Sequence, residues 1–332
     1  MPRQRTWLDN SAYEIEFGPI ALSTGRGALD LGSAAYVPPF TAEQFLGRTR
    51  VIEGDRIELS VGSLSFDEID LEALLNTSAV VIGKARISDW SVHILSDKHK
   101  PPNPNSGPPT YPHEAFQRLP IYLTVAEIAL ENGAVRYSER HKEGVEPGHI
   151  WWDRLQGTLT NLSNDPARMT FQTPAVLSIG TRMFDQVFLN LEWRLPLLEP
   201  GPTMSYSGEL SPMRAPLLSS ILVPLEGMRI TDGVVDQAWF DVDIRDGRAT
   251  GVFNALYHDL GMRFEDRSTG GRSLKKRLFS FAAGVLMPHN NRDRVGKPAR
   301  EGKIDWTPEP DDPFFKIFWA AVRDGVLDLV MP

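Results

Sequence analysis

The stretch LTVAEIALENGAVRYSER, residues 123–140, has counterparts in two other parts of the chain. Residues 80–96 read VVIGKARISDWSVHILS, and residues 223–236 read VPLEGMRITDGVVD. The three segments align without a gap when Ile82, Val125 and Leu225 share a column. The later columns hold Ala85, Ile128 and Met228; Ile87, Leu130 and Ile230; Asp89, Asn132 and Asp232; Trp90, Gly133 and Gly233; and Val92, Val135 and Val235. This agreement indicates a structural unit that the chain repeats.

The repeated unit combines apolar positions with an Asp-Gly or Asn-Gly pair, which is typical of a tight turn. Gly adopts positive φ at little cost, so the pair predicts a strand, a turn and a second strand. Trp90 replaces the Gly in the first copy, so we expect either a different turn there or a tryptophan at its rim. Tandem β-units predict a sheet that grows by addition, each unit covering the edge of the last. An ordinary meander also contains similar hairpins.

Other segments also have the patterns of strands. In AYEIEFGPIALST, residues 12–24, apolar residues alternate with glutamates, and VFLNLEWRL, residues 187–195, has one apolar and one mainly polar face. The apolar phase of RIELSVGSLSF slips at Gly62, which predicts a bulge. Asp246-Gly247 predicts a hairpin turn. The strands together predict a mainly β protein built of repeated hairpins.

Helices are predicted in four places. A short turn follows Thr41 as its N-cap, and another short helix covers residues 67–76. Two amphipathic helices are predicted near the C-terminus, over residues 273–288 and 312–330. The apolar stripe of the last helix is formed by Phe315, Phe318, Trp319, Val322, Val326 and Leu329. We expect these two helices to close one end of the sheet.

The domain organisation follows from these patterns. Residues 1–100 form a β-rich segment with the first copy, and the Pro/Asn-rich residues 101–119 form a linker or long loop. Residues 120–266 form a central sheet with the second and third copies. Residues 267–332 form a helical segment that packs on the sheet end.

The composition excludes several classes of function. The formal net charge is −8 with interspersed signs, which argues against nucleic-acid binding. The absence of cysteine excludes disulfides, thiolate metal sites and cysteine nucleophiles. The longest apolar run, residues 279–287, is far shorter than the about 20 residues of a spanning helix. Residues 1–17 do not have the pattern of a signal peptide.

Catalytic and metal-binding motifs are missing from the sequence, so we predict no enzyme activity, metal or cofactor. The pairs His93/His99 and His141/His149 could bind a metal, but neither has a carboxylate at ligand spacing. The acidic run at 67–72 could hold an acid/base pair, but a helix start explains it more simply. Residues 268–277 could bind an anion or simply form a loop and a cap. Trp151-Trp152 places one indole on each face of a strand, for packing or for a ligand.

The order of these segments resembles the AsmA-like envelope proteins of Gram-negative bacteria, relatives of TamB within the bridge-like lipid transfer proteins. The resemblance rests on the repeats, on residues 132–164, and on GRATGVFNALYHDLGMRF, LFSFAAGVLMPHNN and FFKIFWAAVRDGVLDLV near the C-terminus. Members of this group usually begin with an inner-membrane helix, which this chain lacks. The resemblance therefore implies the C-terminal portion of such a protein, located in the periplasm or cell envelope.

The resemblance also implies a function. The resemblance implies an elongated, curved, groove-like antiparallel sheet of repeated hairpins. Its apolar face would carry acyl chains of phospholipid or another lipid, in support of outer-membrane biogenesis or homeostasis. An envelope or outer-membrane protein would contact the C-terminal helices. The candidate lining residues are Val187, Leu189, Leu191, Trp193, Phe240, Val242 and Ile244. Two alternatives stay open: a structural module in which this face is closed core, and a hydrolase of envelope polymers that brings distant carboxylates together.

Overall fold

The structure, a computed structural model, describes residues 4–7, 13–48, 55–77, 79–100, 111–265, 288–292, 298–309, 312 and 314–330. The fold is mainly β, with one large mixed sheet that is not closed and a few short helices. This confirms the predicted β class. The main path through the sheet is β1-β2-β5-β6-β7-β8-β9-β10-β11-β12-β14-β15-β16.

The strands differ widely in length. They are β1 (Gln4–Trp7), β2 (Glu14–Phe17), β3 (Ile20–Ser23), β4 (Ala28–Leu31), β5 (Ala34–Val37), β6 (Arg56–Ile69), β7 (Ala79–Asp97), β8 (Tyr122–Arg140), β9 (Gly148–Ser163), β10 (Ala175–Met183), β11 (Val187–Leu195), β12 (Met204–Leu210), β13 (Met213–Arg214), β14 (Met228–Arg245), β15 (Arg248–Phe264) and β16 (Gly302–Trp306). The α-helices are α1 (Ala42–Gly47), α2 (Leu71–Asn76), α3 (Pro112–Gln117), α4 (Ser219–Glu226) and α5 (Phe314–Val330). A 3-10 turn, Ala215–Leu218, precedes α4.

The repeated unit is not a hairpin, so that prediction is wrong. The core of each copy lies within one long strand, in β7, β8 and β14, and the Asx-Gly column marks an irregularity inside the strand. Asp89 and Asn132 adopt φ of 52° and 50°, and Gly233 adopts φ of 114°. Ladder registers shift around Asn132 and Gly233. The column therefore marks a local kink in a strand that continues, as a β-bulge does.

The first two copies pair side by side, and their pairing is parallel rather than antiparallel. The β7–β8 register places Ile82 opposite Val125 and Val92 opposite Val135, so the aligned columns are structural neighbours. The Asn132 amide donates to Asp89 Oδ1 over 2.5 Å, which links the two kinks. Trp90 lies over Gly133, where an added Cβ would come 2.2 Å from the Trp90 ring. The two copies differ in this column, and the Trp90 indole of the first copy fills the space that Gly133 leaves in the second.

The other strand predictions have mixed outcomes. β14 and β15 form the predicted hairpin, with positive φ at both Asp246 and Gly247 as a type I′ turn requires. The bulge predicted at Gly62 is wrong, because β6 keeps one register with β7 on both sides of it. The irregular residue is Asp89 on the neighbouring strand, whose Cβ would lie 2.8 Å from a Cβ at Gly62.

Helix predictions were correct where local signals were strong. Thr41 caps α1 with a capping box, and α5 covers residues 314–330. The helix predicted from residue 67 begins only after Asp70, its N-cap. The helix predicted over 273–288 lies outside the described residues except for its last residue. Residues 112–117 of the predicted linker form α3, and β16 adds a strand to the segment predicted to be helical.

The main hydrophobic core lies where β9–β12 and β14–β16 meet α4 and α5. The strands β10, β11 and β12 have only 9, 9 and 7 residues, whereas β8 and β14 have 19 and 18. Beyond the short strands, α4 bridges β9 and β14. Its Ile221 is buried and touches Gly148. A smaller apolar cluster centres on Ile82, Ala85, Val125 and Ile128.

Candidate ligand-binding face

Two rows of mostly apolar residues cross the sheet from β3 to β16, each residue opposite the next in the ladder. The first row is Ile20, Leu31, Leu64, Ile87, Leu130, Gly157, Ile179, Leu191, Gly208, Phe240, Phe253 and Gly302. The second row is Leu22, Leu29, Phe66, Ala85, Ile128, Leu159, Leu177, Trp193, Tyr206, Val242, Gly251 and Ile304. The rows are two residues apart on every strand, so they share one face. We call this the apolar face.

The opposite face is mainly polar. The residues between the two rows are Ala21, Asp30, Ser65, Arg86, Ala129, Thr158, Ser178, Glu192, Ser207, Asp241, Val252 and Lys303. Most carry a charge or a hydroxyl group. The sheet is therefore amphipathic from β3 to β16, with one face suited to water and the other to apolar groups.

Helix α5 covers the apolar face at the β16 end. Phe314 stacks on Trp193 with ring centroids 5.5 Å apart, and the ring of Phe318 lies 4.6 Å from that of Tyr206. The Tyr206 hydroxyl donates to the Phe318 carbonyl over 2.9 Å. These aromatic contacts form a wall across the face beside β11 and β12.

Two glycines allow α5 to lie directly on the sheet. A Cβ on Gly302 of β16 would lie 2.0 Å from the Gly325 carbonyl oxygen, so helix and strand backbones are in contact. Ile304 and Ile317 are fully buried between them. The helix is therefore an integral end wall of the apolar face.

The rest of the apolar face keeps contact with solvent. Between β4 and β11, most row side chains are partly exposed: Leu29, Leu31, Leu64, Phe66, Ile87, Leu130, Leu159, Leu177, Ile179, Leu191 and Trp193. The seven steps from β3 to β11 at about 4.8 Å each span roughly 34 Å. One leaflet of a bilayer is about 15 Å of hydrocarbon, half of the full core. The partly exposed face is thus long enough for acyl chains.

The seven candidate lining residues divide between these two regions. Phe240, Val242 and Ile244 are buried core residues on β14, toward the covered end, and Val187 is buried at the start of β11. Leu189, Leu191 and Trp193 are partly exposed on β11, and Trp193 is itself part of the aromatic wall. Sequence reasoning missed the row members on β4, β6 and β7–β10, because only the ladder registers bring them into line.

A cavity of about 650 Å³ lies outside this face, between α4 and the β10–β11 turn. Trp151 lines it and donates its indole N–H to Asp185, while Trp152 pairs with Val135 and Met183 in the sheet. Burial and a hydrogen bond with Asp185 raise the pKa of Asp153. The double tryptophan therefore has one indole at a cavity, as one of its two interpretations allowed.

The other candidate motifs have structural partners. Asp70 caps α2, and Glu68 pairs with Lys84. The pKa values of His93 and His149 are lowered by burial and by the positive charge of Arg136, which also disfavours a cation there. Among the residues that the structure describes, no three His, Asp or Glu side chains gather as a metal site would require. The anion site considered at 268–277 lies outside the described residues.

A buried ion cluster holds α1 against the ends of β7 and β8. Asp97, 1% exposed, accepts two hydrogen bonds from Arg140, and Arg140 also donates to the Leu46 carbonyl. Burial would raise the pKa of Asp97, but Arg140 and the His99 amide outweigh it, so the pKa lies below 3.8. Lys100 donates to the Phe45 carbonyl, and burial lowers its pKa to about 8. The charged groups of the cluster are hydrogen-bonded to one another or to backbone carbonyls of α1, which fits a structural role.

Comparison with known protein families and with curated proteins finds no match for this chain. The resemblance to AsmA-like proteins therefore stays a prediction. No helix within the described ranges combines the length and the apolar character needed to cross a membrane.

Proposed function

We propose that this protein holds acyl chains of phospholipid, or of another lipid, on its apolar face and passes them along the sheet. The observation that carries the proposal is the pair of mostly apolar rows, most of whose side chains between β4 and β11 are partly exposed. Each methylene sheltered there contributes about 0.8 kcal/mol. Movement along the rows exchanges one apolar environment for a similar one, so the activity requires no catalytic group.

The proposed setting is the cell envelope, with a role in outer-membrane biogenesis or homeostasis, as the resemblance implies. A sheet with one polar face and one apolar face could hold lipid where the lipid must cross an aqueous compartment. An envelope partner at the C-terminal helices would meet the outer side of α5, because Ile317, Ala321 and Leu329 are buried.

The second candidate is a structural module without a ligand. It is favoured by α5, which closes the apolar face with the protein's own side chains at the β16 end. Under this alternative the partly exposed rows would be a surface for protein packing, and the protein would carry no lipid.

The proposal is tested with two matched variants of β11. Leu189→Asp/Leu191→Asp places charges on the apolar face, and Phe188→Asp/Asn190→Asp places them on the exposed opposite face of the same strand. We expect the first variant to lose co-purifying lipid and the second to keep it. Circular dichroism establishes that both remain folded. Wild-type lipid content in folded Leu189→Asp/Leu191→Asp would refute the proposal.

A further inference from the structure

The outer edges of β16 and β3, on opposite sides of the sheet, differ in what their backbone groups contact. At β16, the Asp324 carboxylate accepts the amide N–H of Asp305 at 2.9 Å, and Asp328 accepts that of Lys303 at 2.8 Å. These amides point away from β15, and the two aspartates lie one helical turn apart on α5. The outer donors of β16 are therefore occupied, and this edge is closed to another strand.

The edge of β3 has no comparable protection. β3 pairs with β4, and β1 lies beside β2, so no strand of the described region pairs with the outer edge of β3. Ile20 and Leu22 are 59% and 62% exposed, and they are the last members of the two apolar rows. The strand IALS carries no charge. Natural edge strands are protected by short length, proline, charges, bulges or a cover. β3 has four residues and follows Pro19, but it carries no charge, and within the described ranges nothing covers its outer edge, so that edge can accept a strand partner.

We propose that the partner is a second copy of this chain, paired antiparallel through β3 about a two-fold axis at Ala21. In this register Ile20 of one copy lies opposite Leu22 of the other, and Ala21 lies opposite Ala21. The segment Ile-Ala-Leu is thus self-complementary, with no like charges brought together. Directly opposed residues point to the same face, so the apolar rows of one copy continue into the other.

The symmetric pairing has two consequences. A two-fold contact uses the same edge on both copies and closes at the dimer, so no longer polymer forms. The four-residue edge buries far less than the about 1,200 Å² of stable complexes, so the dimer dissociates readily on dilution. The paired sheets would present one apolar face with an α5 wall at each far end. The pairing does not depend on the proposed lipid function.

The absence of cysteine allows a direct test by cross-linking. In Ala21→Cys, the two thiols would face each other with Cβ atoms about 4.5–5.5 Å apart, close to disulfide geometry. In the matched control Ser23→Cys, on the same strand and face, the two thiols would be four residues out of register, roughly 13 Å apart. We expect a disulfide-linked dimer from Ala21→Cys and only monomer from Ser23→Cys under the same mild oxidation. Equal cross-linking of both variants, or of neither, would overturn the proposal.

Sedimentation without cross-linking provides the second measurement. The wild-type chain should show a concentration-dependent monomer–dimer equilibrium, and Ile20→Lys/Leu22→Lys should remain monomeric at every concentration. The control Leu75→Lys changes an apolar residue that is 82% exposed on α2, and it should dimerise like the wild type. A monomeric wild-type chain, association beyond the dimer, or unchanged dimerisation of the double-lysine variant would contradict pairing through β3.

Discussion

Replacing Gly302 with Ala tests whether α5 is fixed to the sheet by backbone contact. The added Cβ would lie 2.0 Å from the Gly325 carbonyl oxygen, whereas ordinary contact begins at 3.4 Å. The helix or the strand would have to move by the difference, 1.4 Å. Neither partner is a flexible side chain, so the added methyl group acts as overpacking, which costs about 1–3 kcal/mol. We expect the free energy of unfolding to fall by this amount.

The assay is urea unfolding followed by tryptophan fluorescence, with Gly25→Ala as the control. A Cβ on Gly25 would have no heavy atom within 4 Å, so this change should leave the free energy of unfolding unchanged or slightly higher. Displacement of α5 should also expose the aromatic wall, so Gly302→Ala should bind more of an apolar dye. Equal stability of the two variants would refute the close contact between α5 and β16.

Three further changes test other parts of the structure. Asp97→Ala removes one partner of a buried ion pair and should lower the free energy of unfolding by about 3 kcal/mol, toward the lower end of such losses because the Arg140 side chain is 16% exposed. Because the pKa of Asp97 is lowered in the folded protein, this stabilisation should be present above pH 3.8 and be lost as the pH falls below this value. Acid titration of the wild type against the variant would measure the loss. Gly133→Val should displace the Trp90 ring, lowering the urea midpoint and shifting the tryptophan emission, and an unchanged emission spectrum would contradict the contact. Trp193→Ala should cost up to about 3–5 kcal/mol in urea unfolding, and a loss below 1 kcal/mol would argue against the aromatic wall.

The repeat in the sequence identified true structural neighbours but not their geometry. The columns that align residues 80–96 with 123–140 are also the paired residues of β7 and β8. The Asx-Gly column was interpreted as a turn, because positive φ is shared by turns and by kinks within strands. The apolar residues that continue beyond Asn132, at Val135 and Tyr137, were the signal for an uninterrupted strand.

Local sequence patterns could not predict the parallel pairing of β7 with β8 or the presence of β16. Parallel β7 and β8 require a crossover through residues 98–121, and the composition of a connection does not specify the direction of the strand that follows. β16 has only Ile304 and Trp306 as large apolar residues, and it is a strand because β15 and α5 lie on either side of it. Its edge is closed by Asp324 and Asp328, whose role depends on how the helix lies on the sheet.

The sequence predicted that the candidate site is an apolar face, but it did not predict which part of that face is exposed. The alternation in β11 predicted an apolar face, and Leu189, Leu191 and Trp193 lie on it with partial exposure. Val242 and Ile244 show the same alternation, yet they are fully buried. The difference comes from α5, which covers one end of the face, and this tertiary contact has no signal in the strand sequence.

Lipid extraction and mass spectrometry of the protein, purified without detergent from a Gram-negative host, tests the central claim most directly. The sample is the full chain, and its phospholipid content is measured per mole of protein. Acyl chains held on the partly exposed rows predict co-purifying phospholipid in near-stoichiometric amount. A monodisperse, folded protein free of lipid would contradict the claim and favour a structural module.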